Sequence, residues 1–127
     1  MKEEAVKKEF EVYMLNGIIY GIYGQNVVID LELMQRIIKA RLELSQGKRY
    51  PLFADARGVK YWTLEARKYA SSPEGNKDDA AYAILINSNI IKTIVNWAIK
   101  FYPTKGAPQR IFTDKDKALQ WLEQFKK

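Results

Sequence analysis

Two stretches, YPLFAD (50–55) and AAYAILIN (80–87), are apolar at almost every position and too short to be ordinary helices. A strand with one wet face alternates apolar and polar residues, whereas an unbroken run belongs to a strand covered on both faces, as in parallel sheets. Such a sheet needs helices packed on it, and the chain interleaves them with the strands. Asp30 is an N-cap for LELMQRIIKARLELSQG, with Gly47 as the stop. In that helix Leu31, Met34, Ile38 and Leu42 form one stripe, and Leu33, Ile37 and Leu44 form a second about 100° away. A face this wide is explained by burial between the sheet and a neighbouring helix, with a dimer contact as the alternative.

The remaining elements follow the same alternation. TLEARKYASS (63–72) is predicted helical and runs into the polar loop PEGNKDD, opened by Pro73 and Gly75. SNIIKTIVNWAIKFY (88–102) is predicted to be a helix ended by Pro103, its broad face formed by Ile90, Ile91, Ile94, Val95, Trp97, Ala98 and Phe101. QRIFT (109–113) reads as a short strand, and DKDKALQWLEQFKK as a closing helix with Ala118, Trp121, Leu122 and Phe125 inward. Ahead of all these, EFEVYMLNGIIYGIYG places strand-prone runs at about 8–15 and 18–23 around Asn16-Gly17, the pair that suits a type I′ hairpin turn. QNVVID extends the second strand or forms a short third one. The order ββαβαβαβα specifies an α/β fold with a mostly parallel central sheet, an N-terminal hairpin and right-handed crossovers. At 127 residues it is one domain, 1–127, with residues 1–7 expected as a loosely ordered lead.

Composition narrows the chemistry more than the architecture. The chain has no Cys and no His, which removes disulfides, thiolate nucleophiles, imidazole bases and Cys/His metal sites. No GxGxxG or P-loop pattern is present. A non-enzymatic role, without metal or cofactor, is therefore expected. The start MKEEAVKKEF is charged and lacks an apolar run. The longest apolar region, 80–102, is interrupted by Asn87, Ser88, Asn89, Lys92, Asn96 and Lys100, so a membrane-spanning helix is rejected and the cytoplasm is the expected location. The net charge of +6 is spread along the chain rather than held in a tail. It reads as a solvated basic face, and nucleic acid is not an expected partner in the absence of a binding motif.

Several segments in order carry a family likeness: ARLELSQGKRYPLFADARGV, then TLEARKYA, then IVNWAIKFYP, and last PQRIFTDKDKALQWL. Over residues 17 to 125 the chain resembles the STAS fold of bacterial anti-sigma-factor antagonists, and most of all its stand-alone SpoIIAA-like branch. The resemblance implies a regulatory or binding module without intrinsic catalysis, cytoplasmic and often self-associating. In phosphorylated members a strand ends in Asp, and an Asp-Ser-Ser-Gly begins the next helix with the modified Ser. Here Asp55 matches the strand-end Asp, Val59 the apolar residue after it, and Thr63 lies nearest the modified Ser. The Asp before that Ser is replaced by Tyr61-Trp62, and the Gly after it by Leu64-Glu65. The resemblance also implies that helix 88–102 is a candidate mover for an apolar ligand or an anionic membrane surface, with Trp62, Ile94, Trp97 and Phe101 lining the site.

The junction FADARGVKYWTLEARKYA (53–70) concentrates the remaining candidates. Thr63 fits a phosphorylated switch, yet the commoner role of a hydroxyl there is an N-cap worth about 1 kcal/mol. Asp55 could serve as a phosphoaspartate with Ser88 as its partner, but that chemistry needs an acidic pair for Mg²⁺ and a Lys at the last strand end. No acidic pair precedes Asp30 and Lys115 falls in the final helix, so Asp55 is expected to bond loop amides and Arg57. Arg57, Lys60, Arg67 and Lys68 make either a partner or anion contact or an exposed basic face. Tyr61 and Trp62 either staple the following helix or line a pocket or partner-facing edge. The chain is thus expected to be a protein-interaction module working through loop 56–63 and helix 63–72. The alternative is a carrier or sensor of a small apolar ligand through helix 88–102.

Overall fold

The computed structural model describes residues 9–73, 75, 78–87 and 107–126. The hairpin comes first: β1 (Phe10–Leu15) and β2 (Ile18–Tyr23) pair antiparallel across Asn16 and Gly17. Both turn residues have positive φ, 52° and 78°, as a type I′ turn demands. Next come β3 (Val27–Ile29), α1 (Leu31–Ser45), β4 (Tyr50–Asp55), β5 (Val59–Trp62), α2 (Leu64–Ala70), β6 (Asp79–Leu85), β7 (Gln109–Phe112) and α3 (Lys115–Glu123). One sheet has the order β1-β2-β4-β6-β7, with every pair parallel except β1–β2. The helix expected at 88–102 lies outside the described residues.

The apolar runs are central strands, as their lack of alternation requires. Leu52, Phe53 and Ala54 are each at most 1% exposed, and so are Ala83, Ile84 and Leu85. One face of the sheet, with Ile19, Leu52, Ala54 and Ile84, packs on Leu33, Met34, Ile37 and Ile38 of α1 and on Ala66 and Ala70 of α2. The other, with Ile18, Tyr20, Phe53, Ala81, Ala83 and Leu85, packs on Ala118 and Leu122 of α3. Complete burial of a side chain such as Phe53 contributes about 1.5–3 kcal/mol. Pro51 has no N–H to give a ladder, and it sits where β6 slips register by one residue, at Ala80.

Two expectations are corrected. The stretch 56–63 is not wholly a loop, since Val59–Trp62 forms β5, which pairs parallel with β3 in a second, two-stranded sheet. Leu31 is 37% exposed and does not belong to the core stripe of α1. The expected stop at Gly47 holds: α1 ends at Ser45, and the cap residue Gln46 and Gly47 both take positive φ, 49° and 84°. Its wide apolar face packs within the chain, with Leu33, Met34, Ile37 and Ile38 in the core and Leu42 and Leu44 partly buried against it, as the burial reading expects. Helix boundaries also tighten, α2 to 64–70 and α3 to 115–123.

The second sheet is seated by a close approach of two loops. An added β-carbon at Gly58 would collide with the Gly24 carbonyl oxygen and lie 3.0 Å from its carbon. Gly58→Ala should therefore destabilise the fold by about 1–3 kcal/mol in urea melts. Gly21→Ala, which meets nothing nearer than Tyr23 Oη at 3.8 Å, should cost clearly less.

Candidate functional site

The junction between β4 and α2 is built on backbone contacts from three directions. Ala56 N–H donates to Leu85 O at 2.9 Å, which ties the end of β4 to β6, and Val59 N–H donates to Ala56 O at 3.1 Å. Asn87 Nδ2 donates to Arg57 O at 2.9 Å. From the other side Thr63 N–H donates to Ile29 O at 3.0 Å, so β3 holds the start of α2.

Asp55 and Arg57 form a two-pronged ion pair: Arg57 Nε and Nη2 donate to the carboxylate at 2.9 and 2.7 Å. The Arg57 backbone N–H donates to it as well, at 3.3 Å. Partial burial alone would raise the Asp55 carboxyl, but these bonds, with the charges of Arg57 and Lys115, outweigh it and hold it below its ordinary value of 3.8. A carboxylate so saturated is a weak base and a poor nucleophile at neutral pH. Among the described residues no group of three or more Asp or Glu is placed to hold a metal ion.

β5 explains how Tyr61 and Trp62 divide. Val27 pairs with Val59 and Val28 with Tyr61, so Lys60 is an extra, bulged residue. The slip lets Val59 and Trp62, three positions apart, both turn into the core, at 6% and 9% exposure. Trp62 thus anchors the second sheet beneath α2, as part of the same core cluster as Ile29, Val59 and Ala66. Tyr61 points outward at 51% exposure, beside the exposed Lys60. Thr63 is the N-cap, its Oγ1 accepting from Ala66 N–H at 3.2 Å, just as Asp30 Oδ1 accepts from Leu33 N–H at 2.9 Å at the head of α1.

Two residues that the sequence did not mark as surface candidates complete this surface: Leu31, expected in the core stripe, and Leu64. Ile29 and Trp62 are register partners, so the helices that follow β3 and β5 start side by side, and each opens on a leucine. Leu31 and Leu64 are 37% and 44% exposed. The signal was present in the sequence as an apolar residue directly after each N-cap, ahead of the core-facing positions 33 and 66. Lys68 is exposed on α2, while Arg67 is half-buried and does not share the open surface equally. Ile94, Trp97 and Phe101 lie outside the described residues, as does Ser88.

A separate polar cluster closes the far end of the sheet. Arg41 continues the core phase of Ile37 and is 6% exposed. Its Nη2 donates to Gly75 O at 3.0 Å and lies 3.9 Å from Asp79 Oδ2. Ser45 Oγ donates to Asp78 Oδ2 at 2.7 Å, and Arg49 Nη2 to Asp79 O at 2.8 Å. Burial pushes the Asp79 carboxyl up, against the pull of Arg41 and Arg49. These bonds fasten α1 to the segment leading into β6, which is a structural task.

Thr63→Ala should lower stability by about 1 kcal/mol and Thr63→Ser should keep most of it, measured by chemical denaturation. For Asp55 the sign follows from a folded pKa below the unfolded one: the stabilisation is full above the unfolded value and is lost as pH falls through the lower folded value. The Asp55 Cγ resonance should accordingly titrate below 3.8, and Arg57→Gln should move that midpoint upward.

No protein with a curated description matches the chain. Among solved structures it is similar to an uncharacterised protein of the DUF3478 family with a SpoIIAA-like fold, from Shewanella loihica PV-4. That match has a TM-score of 0.61 at 17% identity and covers 89% of this chain and 91% of the other. At that identity the likeness establishes the fold, and the SpoIIAA-like architecture implied by the sequence is the one present. A family profile matches residues 12–126, and the chain accordingly belongs to the family described as a domain of unknown function, DUF7793.

Proposed function

We propose that the chain is a non-enzymatic regulatory or protein-interaction domain of STAS type that docks a protein partner on the surface formed by β5 and the heads of α1 and α2. The observation that carries this reading is the exposure of Tyr61, Leu64 and Leu31 together, on a frame locked by Trp62 and by the Thr63–Ile29 hydrogen bond. An aromatic beside aliphatic side chains within a charged rim is the composition of an interface centre. Its rim mixes exposed Lys60 and Lys68 with exposed Glu32 and Glu65. Mixed signs suit a protein surface, whereas an anionic membrane would repel the two glutamates beside the leucines. Arg57 is engaged by Asp55, which favours a positioning role for that pair over direct anion capture. In this reading Thr63 is a cap first. A phosphate on it would add about −1.5 to −2 charges beside Tyr61 and Leu64 and would weaken an apolar contact there.

Photocrosslinking in the source organism tests the surface. A benzophenone side chain in place of Tyr61 should capture a discrete protein, identified by mass, that the same group at exposed Glu43 does not. Leu64→Glu should abolish that adduct, and an adduct pattern identical at 61 and 43 would sink the reading. Native mass spectrometry of the same material separates the competing carrier reading. A lipid-sized adduct lost on denaturation would favour the carrier reading, a small apolar ligand, over a protein partner.

A further inference from the structure

β1 is an outer strand of the five-stranded sheet and, among the described residues, is paired only with β2. The phase of that ladder is fixed at its start, where Gly24 N–H donates to Glu9 O at 2.9 Å. In an antiparallel ladder, hydrogen-bonded and non-hydrogen-bonded pairs alternate. Glu11, Tyr13 and Leu15, opposite Ile22, Tyr20 and Ile18, thus turn their N–H and C=O groups toward β2. Phe10, Val12 and Met14 turn theirs out of the sheet.

The open side carries one charged side chain, the exposed Glu11, and few other protections. β1 has no Pro, Lys, Arg or Gly, and its pairing with β2 runs without a bulge. The opposite outer strand, β7, spans only 4 residues and carries an exposed Arg110. A six-residue edge reading FEVYML is by contrast a template for another strand.

We infer that β1 pairs with β1 of a second copy of this chain, antiparallel about a twofold axis at Val12, to form one continuous sheet across a homodimer. The register is the argument for this occupant. Centred on Val12, the symmetry sets Val12 against Val12 of the second copy and Phe10 against Met14, so every outward N–H and C=O of the three residues meets a partner. Centring on Tyr13 would instead leave Phe10 facing the turn at Asn16. On one face Phe10, Val12 and Met14, which already pack on the edge of the core, gain apolar cross-strand neighbours. On the other face Tyr13, 36% exposed and stacked on Tyr20 at 5.2 Å, lies across from Glu11 of the second copy. The side chains thus match the backbone register on both faces. This inference stands apart from the docking surface, which uses no residue of β1.

Hydrogen exchange by NMR on the full chain, with sedimentation velocity beside it, tests the pairing. Over about a hundredfold range of protein concentration a dimer should appear, and the Phe10, Val12 and Met14 amides should gain roughly tenfold or more protection with it. The amides of Glu11, Tyr13 and Leu15 should stay protected throughout. Val12→Pro removes an outward N–H that the β2 ladder does not use, so it should give a folded monomer. Tyr13→Glu sets like charges opposite one another and should also give a monomer, which covers the case in which the proline variant fails to fold. A monomer at every concentration would overturn the inference. So would protection of Phe10, Val12 and Met14 that does not depend on concentration, as residues 1–8 of the same chain folding onto the edge would produce. A dimer that survives in both variants would overturn it too, by placing the contact elsewhere.

Discussion

The central strands β4 and β6 are sealed on both faces, and the rest of the molecule depends on that constraint. Phe53 and Ala83 face α3 while Leu52, Ala54 and Ile84 face α1 and α2. Neither strand offers a polar side chain to water along its middle, so helices must cover both surfaces. With β2, β4 and β6 parallel and adjacent, each connection has to cross over, and α1 and α2 occupy the crossovers on the same face. The hairpin adds β1 beyond β2, and among the described residues β1 is an antiparallel edge.

Two helices on one face need their starts held, and that is the task of the second sheet. β3 and β5 are too short to contribute much apolar area, but they align the chain just before each helix. Ile29 receives the Thr63 amide, and the Lys60 bulge turns Trp62 inward beneath Ala66. Asp30 and Thr63 then cap neighbouring helices with the same side-chain-to-third-amide bond. What reaches solvent at this end is the residue after each cap, Leu31 and Leu64, together with Tyr61. A hydrogen-bonded backbone and exposed apolar side chains therefore coincide, so docking there, as proposed, would cost little conformational entropy.

Most of the architecture was legible because it rests on periodicity. The unbroken runs 50–55 and 80–87, the stripes of α1 and the Asn16-Gly17 turn each carry a local signal strong enough to be read alone. The Asp55–Arg57 pair and the Thr63 cap were also within reach, since both join residues two or three positions apart. β5 was not, because the bulge at Lys60 destroys the alternation by which a strand is recognised. Leu31 was misplaced for the opposite reason: its spacing from Met34 fits the helical stripe, but as the first residue of α1 it stays 37% exposed. The exposure of Leu64 depends on β3 and β5 lying side by side, a pairing across more than thirty residues that no local pattern encodes. Arg41 shows the same limit. Its helical phase placed it inward, and only the fold shows Gly75 and Asp79 waiting for it.

Among the described residues, the edge of β1 and the surface around Tyr61 differ in the kind of recognition they would permit. The edge of β1 offers backbone groups in a fixed repeat, which any strand of matching register can satisfy; its selectivity comes from symmetry and from the few side chains at Val12 and Tyr13. The proposed docking surface around Tyr61 offers side chains on a rigid frame, where shape and charge would decide any partner. A chain paired through β1 would use none of residues 60–68, so each copy would keep its docking surface free. Two such surfaces related by a twofold axis bind a two-sited partner with an effective concentration set by their spacing, and avidity then follows without any new contact. A weak individual contact, which is what three exposed apolar side chains can supply, would suffice for regulation in that arrangement. It would also make regulation sensitive to chain concentration, because the doubled surface exists only when the edges meet.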